Sequence, residues 1–360
     1  MKILFVVHSL YLGGATKQLA LTANSLAERG HDVIVYAYSY DAPSAYPFSD
    51  KVKYIPEAKK YASKIKEYLL APLRIRKIVK EISPDVTIGW RTNAGYMVAL
   101  ATLCSSYKSL LCERSDPYME DSLFLHIAKW ICNLNDGGIF QTEGARQYYK
   151  MLAGKSIVIP NPYSYDGCKV PFVPIDERKK EISIVGRLFI KQKRQDVAIK
   201  AFKLFSEKHP DYRLKVYGDG LDMQNLKELA KKEGIEDLVD FEGAVDGVIL
   251  KISQSRLMLL SSDYEGIPNV VLEAFTAKTP VVVTDCSPGG AHTLIKNGYN
   301  GFIVPRGDIK AMAEKMEVLV CDVDLSMKFI ERSSDRISEF ADSKIFDSWE
   351  KFLSNKVLNR

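Results

Sequence analysis

Short apolar runs alternate with segments of helical periodicity along the 360-residue chain. In the first half, apolar runs predict strands at 2–9, 32–38, 86–90, 109–113, 137–142 and 156–161. In the second half, they predict strands at 181–187, 213–218, 239–243, 256–262, 280–285 and 302–305. Strands that alternate with helices usually form a parallel sheet. The pattern therefore predicts two comparable parallel α/β sheets, one in each half.

The division between the halves is predicted from a stretch without periodicity. Residues 161–180 contain several prolines and no regular pattern, and the length of the chain suits two domains. We expect an N-terminal domain over 1–163, a linker over 164–180 and a C-terminal domain over 181–342. The tail, 343–360, predicts an amphipathic helix with Ile345, Phe346, Trp349 and Phe352 on one face. On sequence alone, that helix could pack on either domain.

Composition is that of a soluble globular protein, with 46% hydrophobic and 26% charged residues. The start, MKILFVVHSL, is too short for a secretory signal. No apolar run reaches the roughly 18 residues that a membrane span needs. The six cysteines and five histidines are scattered and offer no metal framework. We therefore expect a cytoplasmic protein without a bound metal.

The net charge of +5 is concentrated in the first half. Residues 1–164 carry 20 Lys and Arg against 14 Asp and Glu, whereas the remainder carries 30 against 31. One basic concentration lies at 59–82. It is either a solvated helix face or a surface attracted to an anionic membrane. Nucleic acid is not expected as a partner, because the chain has no zinc finger, RNP-like string or basic coiled-coil region.

Two glutamates eight positions apart are the strongest chemical signal. Glu265 and Glu273 lie in EGIPNVVLEAF, between two predicted strands. Pro268 suits the first turn of a helix, so Glu265 falls in the loop and Glu273 inside the helix. The backbone N–H groups of a helix start bind anions, and a carboxylate nearby can accept hydrogen bonds from two ribose hydroxyls. This arrangement suits a nucleotide, although two glutamates alone could equally be solvated surface charges.

Two further loops carry candidate ligand-binding residues. HSLYLGGATKQLA places Gly13 and Gly14 between a strand and a helix, where a backbone can approach an anion. A tight turn would explain those glycines equally well, and the loop is not the G-x-G-x-x-G of dinucleotide enzymes. Arg187 and Lys193 follow the strand at 181–187. They could stabilise a departing diphosphate without a metal, or belong to an exposed basic loop.

Taken together, these motifs resemble the retaining GT-B glycosyltransferases of family 4 (glycosyltransferase group 1). EGIPNVVLEAF resembles the E-x7-E signature, and VGRLFIKQK resembles the GRL…K segment of that family. The glycine loop resembles the GGAE-type loop, with Thr16 in place of the glutamate. The resemblance covers nearly the whole chain. It implies a GT-B α/β fold, in which two Rossmann-like doubly wound domains face each other across a cleft and the last helix returns to the first domain.

The resemblance also implies an activity. It points to a metal-independent, retaining hexosyltransferase (EC 2.4) that uses no cofactor. Such an enzyme moves a hexose or N-acetylhexosamine from a nucleoside-diphosphate sugar, UDP-linked by family habit, to a saccharide acceptor. We expect a lipid-linked oligosaccharide of bacterial surface glycan synthesis as the acceptor, reached at the inner face of the cell membrane. The alternatives are a GT-B nucleotide-sugar 2-epimerase, a phosphorylase and a non-catalytic module that binds sugar nucleotides.

The family pattern assigns roles to individual residues. Glu265, Arg187 and Lys193 are the expected catalytic residues, with Lys191 an alternative to Lys193 because the spacing is one residue longer than usual. Glu273 is expected to hold the donor ribose. The expected donor-binding set is Gly14, Arg187, Lys193, Gly218, Val245, Glu265, Gly266, Ile267, Pro268, Asn269, Val270 and Glu273. On the acceptor side, strand ends offer His8, Arg91, Arg114 and Asp116, which could instead have purely structural roles.

Overall fold

The computed structural model describes residues 1–11, 14–39, 46–57, 63–119, 122–163 and 170–358. Within them, the strands are β1 (Lys2–Val7), β2 (Asp32–Ala37), β3 (Val52–Ile55), β4 (Val86–Trp90), β5 (Ser109–Glu113), β6 (Gly137–Phe140), β7 (Ser156–Val158), β8 (Lys179–Val185), β9 (Arg213–Tyr217), β10 (Val239–Gly243), β11 (Ser255–Leu260), β12 (Val281–Thr284) and β13 (Phe302–Val304). The helices are α1 (Gly14–Glu28), α2 (Lys64–Ile82), α3 (Arg91–Thr102), α4 (Leu123–Cys132), α5 (Glu143–Tyr148), α6 (Ile190–Lys193), α7 (Gln195–Ser206), α8 (Met223–Lys232), α9 (Val248–Ile252), α10 (Asn269–Thr276), α11 (Gly290–Leu294), α12 (Ile309–Cys321), α13 (Val323–Ile337) and α14 (Asp342–Leu358).

The chain forms two compact units. The first comprises Met1–Pro162 and Asp342–Arg360, and the second comprises Tyr163–Ala341. Each unit contains one parallel sheet, so the predicted α/β class is confirmed. None of the helices in the described ranges is both long and apolar enough to cross a bilayer.

The sheet of the first unit has the strand order β3-β2-β1-β4-β5-β6-β7, and every pairing among its described strands is parallel. Helices cover both faces, which is why its central strands are apolar on both sides. On one face α1 packs with α14 through side chains such as Leu19, Leu26 and Trp349. On the other face, α2, α3 and α4 pack through side chains such as Ile75 and Met97.

The last helix, α14, is part of the first unit. Trp349 stacks on Trp90 with ring centroids 6.3 Å apart, and Arg29, directly after α1, forms an ion pair with Glu350 at 2.6 Å. Of the apolar face expected from sequence, Ile345, Phe346 and Trp349 are buried, but Phe352 is only half-buried. Leu353 takes the innermost place instead, because it lies four residues after Trp349 on the same side of the helix.

The sheet of the second unit has the order β10-β9-β8-β11-β12-β13 and is also parallel among its described strands. One face packs against α7, α8, α12 and α13, and the other packs against α9, α10 and α11. The strand order reverses between β8 and β11, because β9 lies on the far side of β8 and β12 lies on the far side of β11. Such a reversal opens a crevice at the carboxyl ends of the strands, where α/β proteins bind ligands.

The expected linker over 164–180 needs correction. Residues 164–169 lie outside the described residues, but the remainder belongs to the second unit, and β8 already begins at Lys179. Ile175 is buried. The buried guanidinium of Arg178 donates to the backbone carbonyls of Val173, Ser255 and Lys278. Tertiary contacts therefore make the described part of this stretch belong to the second unit.

Candidate active site

The candidate site lies at the strand-order reversal of the second unit. β8 pairs directly with β11, for example Ile184 with Leu259. The loop after β8 runs from Gly186 into α6, and the loop after β11 runs from Ser261 to Pro268 before α10 begins. Because parallel strands end at the same edge of a sheet, these two loops meet. They carry most of the residues that the sequence singled out.

Lys193 and Glu265 form an ion pair across these loops. The Nζ of Lys193 lies 2.5 Å from Oε1 of Glu265, and the hydroxyl of Ser262 donates to the same oxygen at 2.7 Å. Glu265 is only 9% exposed, and Ser262 is fully buried. The neighbouring Ser261 hydroxyl donates to the backbone carbonyl of Lys193 at 2.8 Å. Two consecutive serines directly after β11 therefore contact the two partners of the pair, Ser261 through the backbone of Lys193 and Ser262 through the carboxylate of Glu265.

The structure distinguishes the two candidate lysines. Lys191 is exposed to solvent, whereas Lys193 is half-buried and contacts Glu265. Arg187 is exposed beside them, and its guanidinium lies 3.4 Å from Oε1 of Gln192. The amide group of Gln192 donates in turn to the backbone carbonyl of Tyr264 at 3.2 Å. Gln192 thus links the loop of Arg187 with the loop of Glu265.

A second ion pair joins the same loops. Arg194 has a left-handed backbone conformation (φ 48°) and binds both Asp196 and Asp263, the latter at 3.0 Å. The hydrogen bonds that Arg194 donates to these two carboxylates raise the pKa of its guanidinium. Sequence reasoning missed Ser262, Gln192 and Arg194. Their only signal was their position next to the recognised motifs.

The N-terminus of helix α10 and the side chain of Glu273 follow the loop that carries Glu265. Pro268 is the N-cap residue and is buried with Ile267, while Asn269 is exposed and Val270 half-buried. The amide of Val271 is not available to an anion, because its N–H donates to the Pro268 carbonyl at 2.9 Å. The amides of Asn269 and Val270 remain as candidate anion donors. Glu273 is half-buried in the second turn of the helix.

Close backbone approaches hold the surrounding loops together. A Cβ added to Gly290 would lie 1.9 Å from the carbonyl oxygen of Gly266, so only glycine fits at the contact between the β12 and β11 loops. A Cβ on Gly218 would lie 2.0 Å from the oxygen of Gly186, and its φ of 133° also favours glycine. The N–H of Gly218 donates to Gly243, two residues before the half-buried Val245.

An open cavity lies at the ends of β8 and β9. Its volume is about 550 Å³, and it is lined by Arg187, Leu188, Phe189, Asp219, Gly220 and Leu221. The cavity adjoins the loops that carry Gly218 and Lys193, two residues of the expected donor-binding set. Over the described ranges, no group of three or more His, Cys, Asp or Glu side chains is arranged to hold a metal ion.

The expected acceptor-side residues lie in the first unit. His8 follows β1, and its Nε2 lies 3.2 Å from the hydroxyl of Tyr68. Arg91 begins α3 directly after β4, is exposed, and has a left-handed backbone (φ 68°). Asp116 is half-buried and accepts the N–H of Tyr118 at 2.9 Å. Gly14 begins α1 with open space around it, while Gly13 lies outside the described residues.

Arg114 differs from the expectation of an acceptor contact. Its side chain is buried and donates to the Ile159 carbonyl at 2.9 Å and to Asn161 at 3.3 Å. The guanidinium also lies 5.3 Å and 5.4 Å from the ring centroids of Trp90 and Trp349. Arg114 therefore stabilises the packing of α14 on the first sheet, and only 8% of the residue is exposed.

Comparison with known proteins covers both units. The profile described as Glycosyltransferase Family 4 matches residues 12–166, and the profile described as Glycosyl transferases group 1 matches residues 170–336. An uncharacterized glycosyltransferase of Haemophilus influenzae is 28% identical over 98% of this chain and 99% of its own length. An α-1,4-N-acetyl-D-galactosaminyltransferase of Campylobacter jejuni, whose name includes a saccharide on PP-undecaprenol, is 24% identical over 98% of both chains.

Solved structures match over the full length. The lipopolysaccharide outer core galactosyltransferase WaaB, in its apo form, has a TM-score of 0.83 with 19% identity and covers 99% of this chain and 100% of its own. Anabaena HepE in complex with UDP has a TM-score of 0.78 with 19% identity and the same coverage. At such low identity these likenesses show the fold alone.

Proposed function

This chain belongs to the group 1 glycosyltransferases and has the GT-B fold, and from that premise we propose that it is a retaining, metal-independent hexosyltransferase. Its donor is a UDP-linked hexose or N-acetylhexosamine, and its acceptor is a saccharide. The observation that carries this proposal is the ion pair between Lys193 and Glu265 at the strand-order reversal, eight residues before Glu273. The pair combines a cation for a diphosphate with a carboxylate for a sugar.

The diphosphate binds at the positive end of the site. Lys193, the exposed guanidinium of Arg187 and the amides of Asn269 and Val270 supply its donors. When the sugar departs, negative charge builds on the β-phosphate, and fixed cations and amides stabilise that charge in the transition state. No metal is required for this step. Glu265 then accepts hydrogen bonds from hydroxyls of the transferred sugar, and Ser262 keeps its carboxylate oriented.

The nucleoside binds along the same edge. Glu273 accepts hydrogen bonds from the two ribose hydroxyls, and bonds of this charge-assisted kind are among the stronger ones in proteins. Gly218 lets the backbone approach the nucleoside closely, and Val245 lies beside the base. Relatives in this fold support uridine, since HepE was crystallised with UDP.

Transfer proceeds with retention on one face of the donor. The bond between the anomeric carbon and the β-phosphate oxygen breaks, and the acceptor oxygen bonds the same carbon from the same side. The proton of the acceptor hydroxyl passes to the departing phosphate oxygen. That route needs no separate general base, and the acidic group nearest to Lys193, Glu265, remains an orienting residue.

The acceptor is a lipid-linked oligosaccharide of bacterial surface glycan synthesis. The Campylobacter relative, named for a saccharide on PP-undecaprenol, supports this choice. So does the surplus of Lys and Arg over Asp and Glu in residues 1–164. His8, Arg91 and Asp116 form the acceptor side. The protein works at the cytoplasmic face of the cell membrane, in peripheral contact with it.

A panel of nucleotide sugars tests the proposal. UDP-sugars should raise the melting temperature more than ADP-, GDP- or CDP-sugars, because a ligand that binds only the folded state stabilises it. With a lipid-linked saccharide, NMR should show a product with the anomeric configuration of the donor, and EDTA should not slow its formation. Conversion of the donor sugar without acceptor would indicate an epimerase, and binding without turnover would indicate a non-catalytic module.

A further inference from the structure

Helix α4 exposes its most hydrophobic side chains. Leu123, Phe124, Ile127 and Trp130 are 76%, 56%, 51% and 61% exposed. The opposite side of the helix packs into the core through Ala128 and Cys132. A soluble protein rarely exposes contiguous large apolar groups unless they contact a partner or a membrane.

Helix α2 lies on the same face of the first sheet, with α3 packed between it and α4. Its inner side, with Ala71, Ile75 and Val79, joins the same core cluster as α4, and α3 packs against both helices. Its outer side exposes Leu69, Leu70 and Leu73. Three exposed lysines flank these leucines along the helix, namely Lys66, Lys77 and Lys80. We call the exposed side chains of α2 and α4 the α2–α4 face.

The chemistry of the α2–α4 face matches an anionic bilayer. Helix α4 contains no acidic residue. Tryptophan and phenylalanine favour the boundary between headgroups and acyl chains, and lysines are drawn to anionic headgroups. We propose that the α2–α4 face docks the protein on an anionic membrane, with the apolar side chains of α4 inserted and the lysines of α2 at the headgroups. A second copy of the chain fits less well, because pairing two such faces would bring like charges together.

Docking there would place the membrane next to the acceptor residues of the first unit, a consequence that rests on the proposed function. The inner side of α2 carries Tyr68, whose hydroxyl lies 3.2 Å from Nε2 of His8 and whose ring stacks on the imidazole at 5.7 Å. Arg74, from the same helix, donates to the backbone carbonyl of Tyr38 at 3.0 Å. The helix that faces the bilayer thus contacts the carboxyl ends of β1 and β2.

The chain carries its own fluorescent probe for this contact. Its three tryptophans are Trp90 and Trp349, both buried, and Trp130, which is exposed. Adding vesicles of phosphatidylcholine with phosphatidylglycerol to the full chain should shift the emission to shorter wavelength. Vesicles of phosphatidylcholine alone should give a much smaller shift. The variant Trp130→Phe should still sediment with the anionic vesicles but lose the spectral change.

Matched variants separate this surface from unspecific binding. Leu123→Ser with Ile127→Ser should weaken vesicle binding by at least about tenfold. Leu221→Ser, which alters a leucine 91% exposed on the second unit, should leave it unchanged. Replacing Lys66, Lys77 and Lys80 by Gln should weaken binding at least about fivefold and reduce its salt dependence. The same change at Lys231, Lys232 and Lys328, which are exposed on the second unit, should have no such effect.

Three results would overturn the proposal. The first is vesicle binding that the Leu123 and Ile127 changes do not weaken. The second is Trp130 fluorescence whose emission wavelength does not change when anionic vesicles are added. The third is a dimer in solution that Ile127→Ser dissociates. Stabilisation by UDP-sugars should be the same in every α2–α4 variant. If the protein binds vesicles but no sugar nucleotide, the membrane-docking proposal stands and the proposed function is refuted. If it binds sugar nucleotides but no vesicles, only the membrane-docking proposal is refuted.

Discussion

The ammonium group of Lys193 lies 2.5 Å from Oε1 of Glu265, an oxygen that also accepts the hydroxyl of Ser262 at 2.7 Å. The two residues that the mechanism assigns to the diphosphate and to the sugar are therefore paired with each other. Such pairing holds each side chain in position in a largely buried site. Lys193 can then exchange part of its contact with Glu265 for a phosphate oxygen without crossing the site.

Replacing each of the two candidate lysines by alanine tests this arrangement. Lys193→Ala should lower the rate of sugar transfer about 100- to 1000-fold, because a preorganised cation at the leaving group is lost. Lys191→Ala removes an exposed lysine two residues away and should change the rate by no more than about twofold. Steady-state transfer kinetics measure both. The opposite ranking would move the diphosphate contact to Lys191.

Replacing Glu273 tests the ribose assignment. Glu273→Ala should weaken UDP binding about 10- to 100-fold, which corresponds to the loss of charge-assisted hydrogen bonds. Isothermal titration calorimetry with UDP measures the change. Glu314→Ala, which alters an exposed glutamate on α12, is the matched control and should bind UDP as the unaltered protein does. Unchanged affinity in Glu273→Ala would contradict the assignment.

Ser262 should act through Glu265 and not through the donor. Ser262→Ala should lower kcat about tenfold, since one hydrogen bond to a charged group is removed, and leave the affinity for UDP unchanged. Ser262→Thr keeps the hydroxyl and should recover most of the rate. Ser183→Ala removes a buried hydroxyl that bonds Ser255 elsewhere in the same sheet and serves as the control. An equal loss of UDP affinity in Ser262→Ala would indicate a merely structural role.

Most of the fold could be predicted because buried parallel strands are continuously apolar. The prediction missed β3, a four-residue edge strand with the exposed Lys53 in it. It also missed α3, because β4 passes into that helix at Arg91 without an intervening polar turn, through a left-handed residue that no sequence pattern announces. Ile175 and Arg178 were assigned to a linker, since nothing local shows that distant carbonyls surround the guanidinium.

The site was predicted in part for similar reasons. Its main residues follow strands, so the two glutamates and the basic residues could be recognised from their own neighbourhoods. The residues that hold them in place could not be predicted, because Ser261, Gln192 and Arg194 contact partners about 70 positions away in the chain. Arg114 shows the opposite error. A polar residue at a strand end looks like a ligand contact until its burial between Trp90 and Trp349 is known.

Arg178 should be essential for the stability of the second unit. Its burial lowers the pKa of the guanidinium to about 10, and three backbone carbonyls depend on it. Arg178→Ala should lower the free energy of unfolding of that unit by about 3 kcal/mol. Lys180→Ala, which breaks an ion pair on the surface nearby, should have no measurable effect.

Two signals allow each unit to be followed in the Arg178 experiment. All three tryptophans belong to the first unit, so tryptophan fluorescence in urea follows the first unit and far-ultraviolet circular dichroism follows both. Arg178→Ala should introduce an earlier dichroism transition and leave the fluorescence transition in place. An unchanged dichroism curve would contradict the role assigned to the Arg178 guanidinium.

A crystal structure of the protein with an intact UDP-sugar tests the central claim most directly. The account predicts the ribose hydroxyls at the carboxylate of Glu273, the diphosphate between Lys193, Arg187 and the amides that begin α10, and the sugar hydroxyls at Glu265. A nucleotide bound elsewhere, or one bound at this edge with Glu273 turned away and Lys193 still paired only with Glu265, would contradict it.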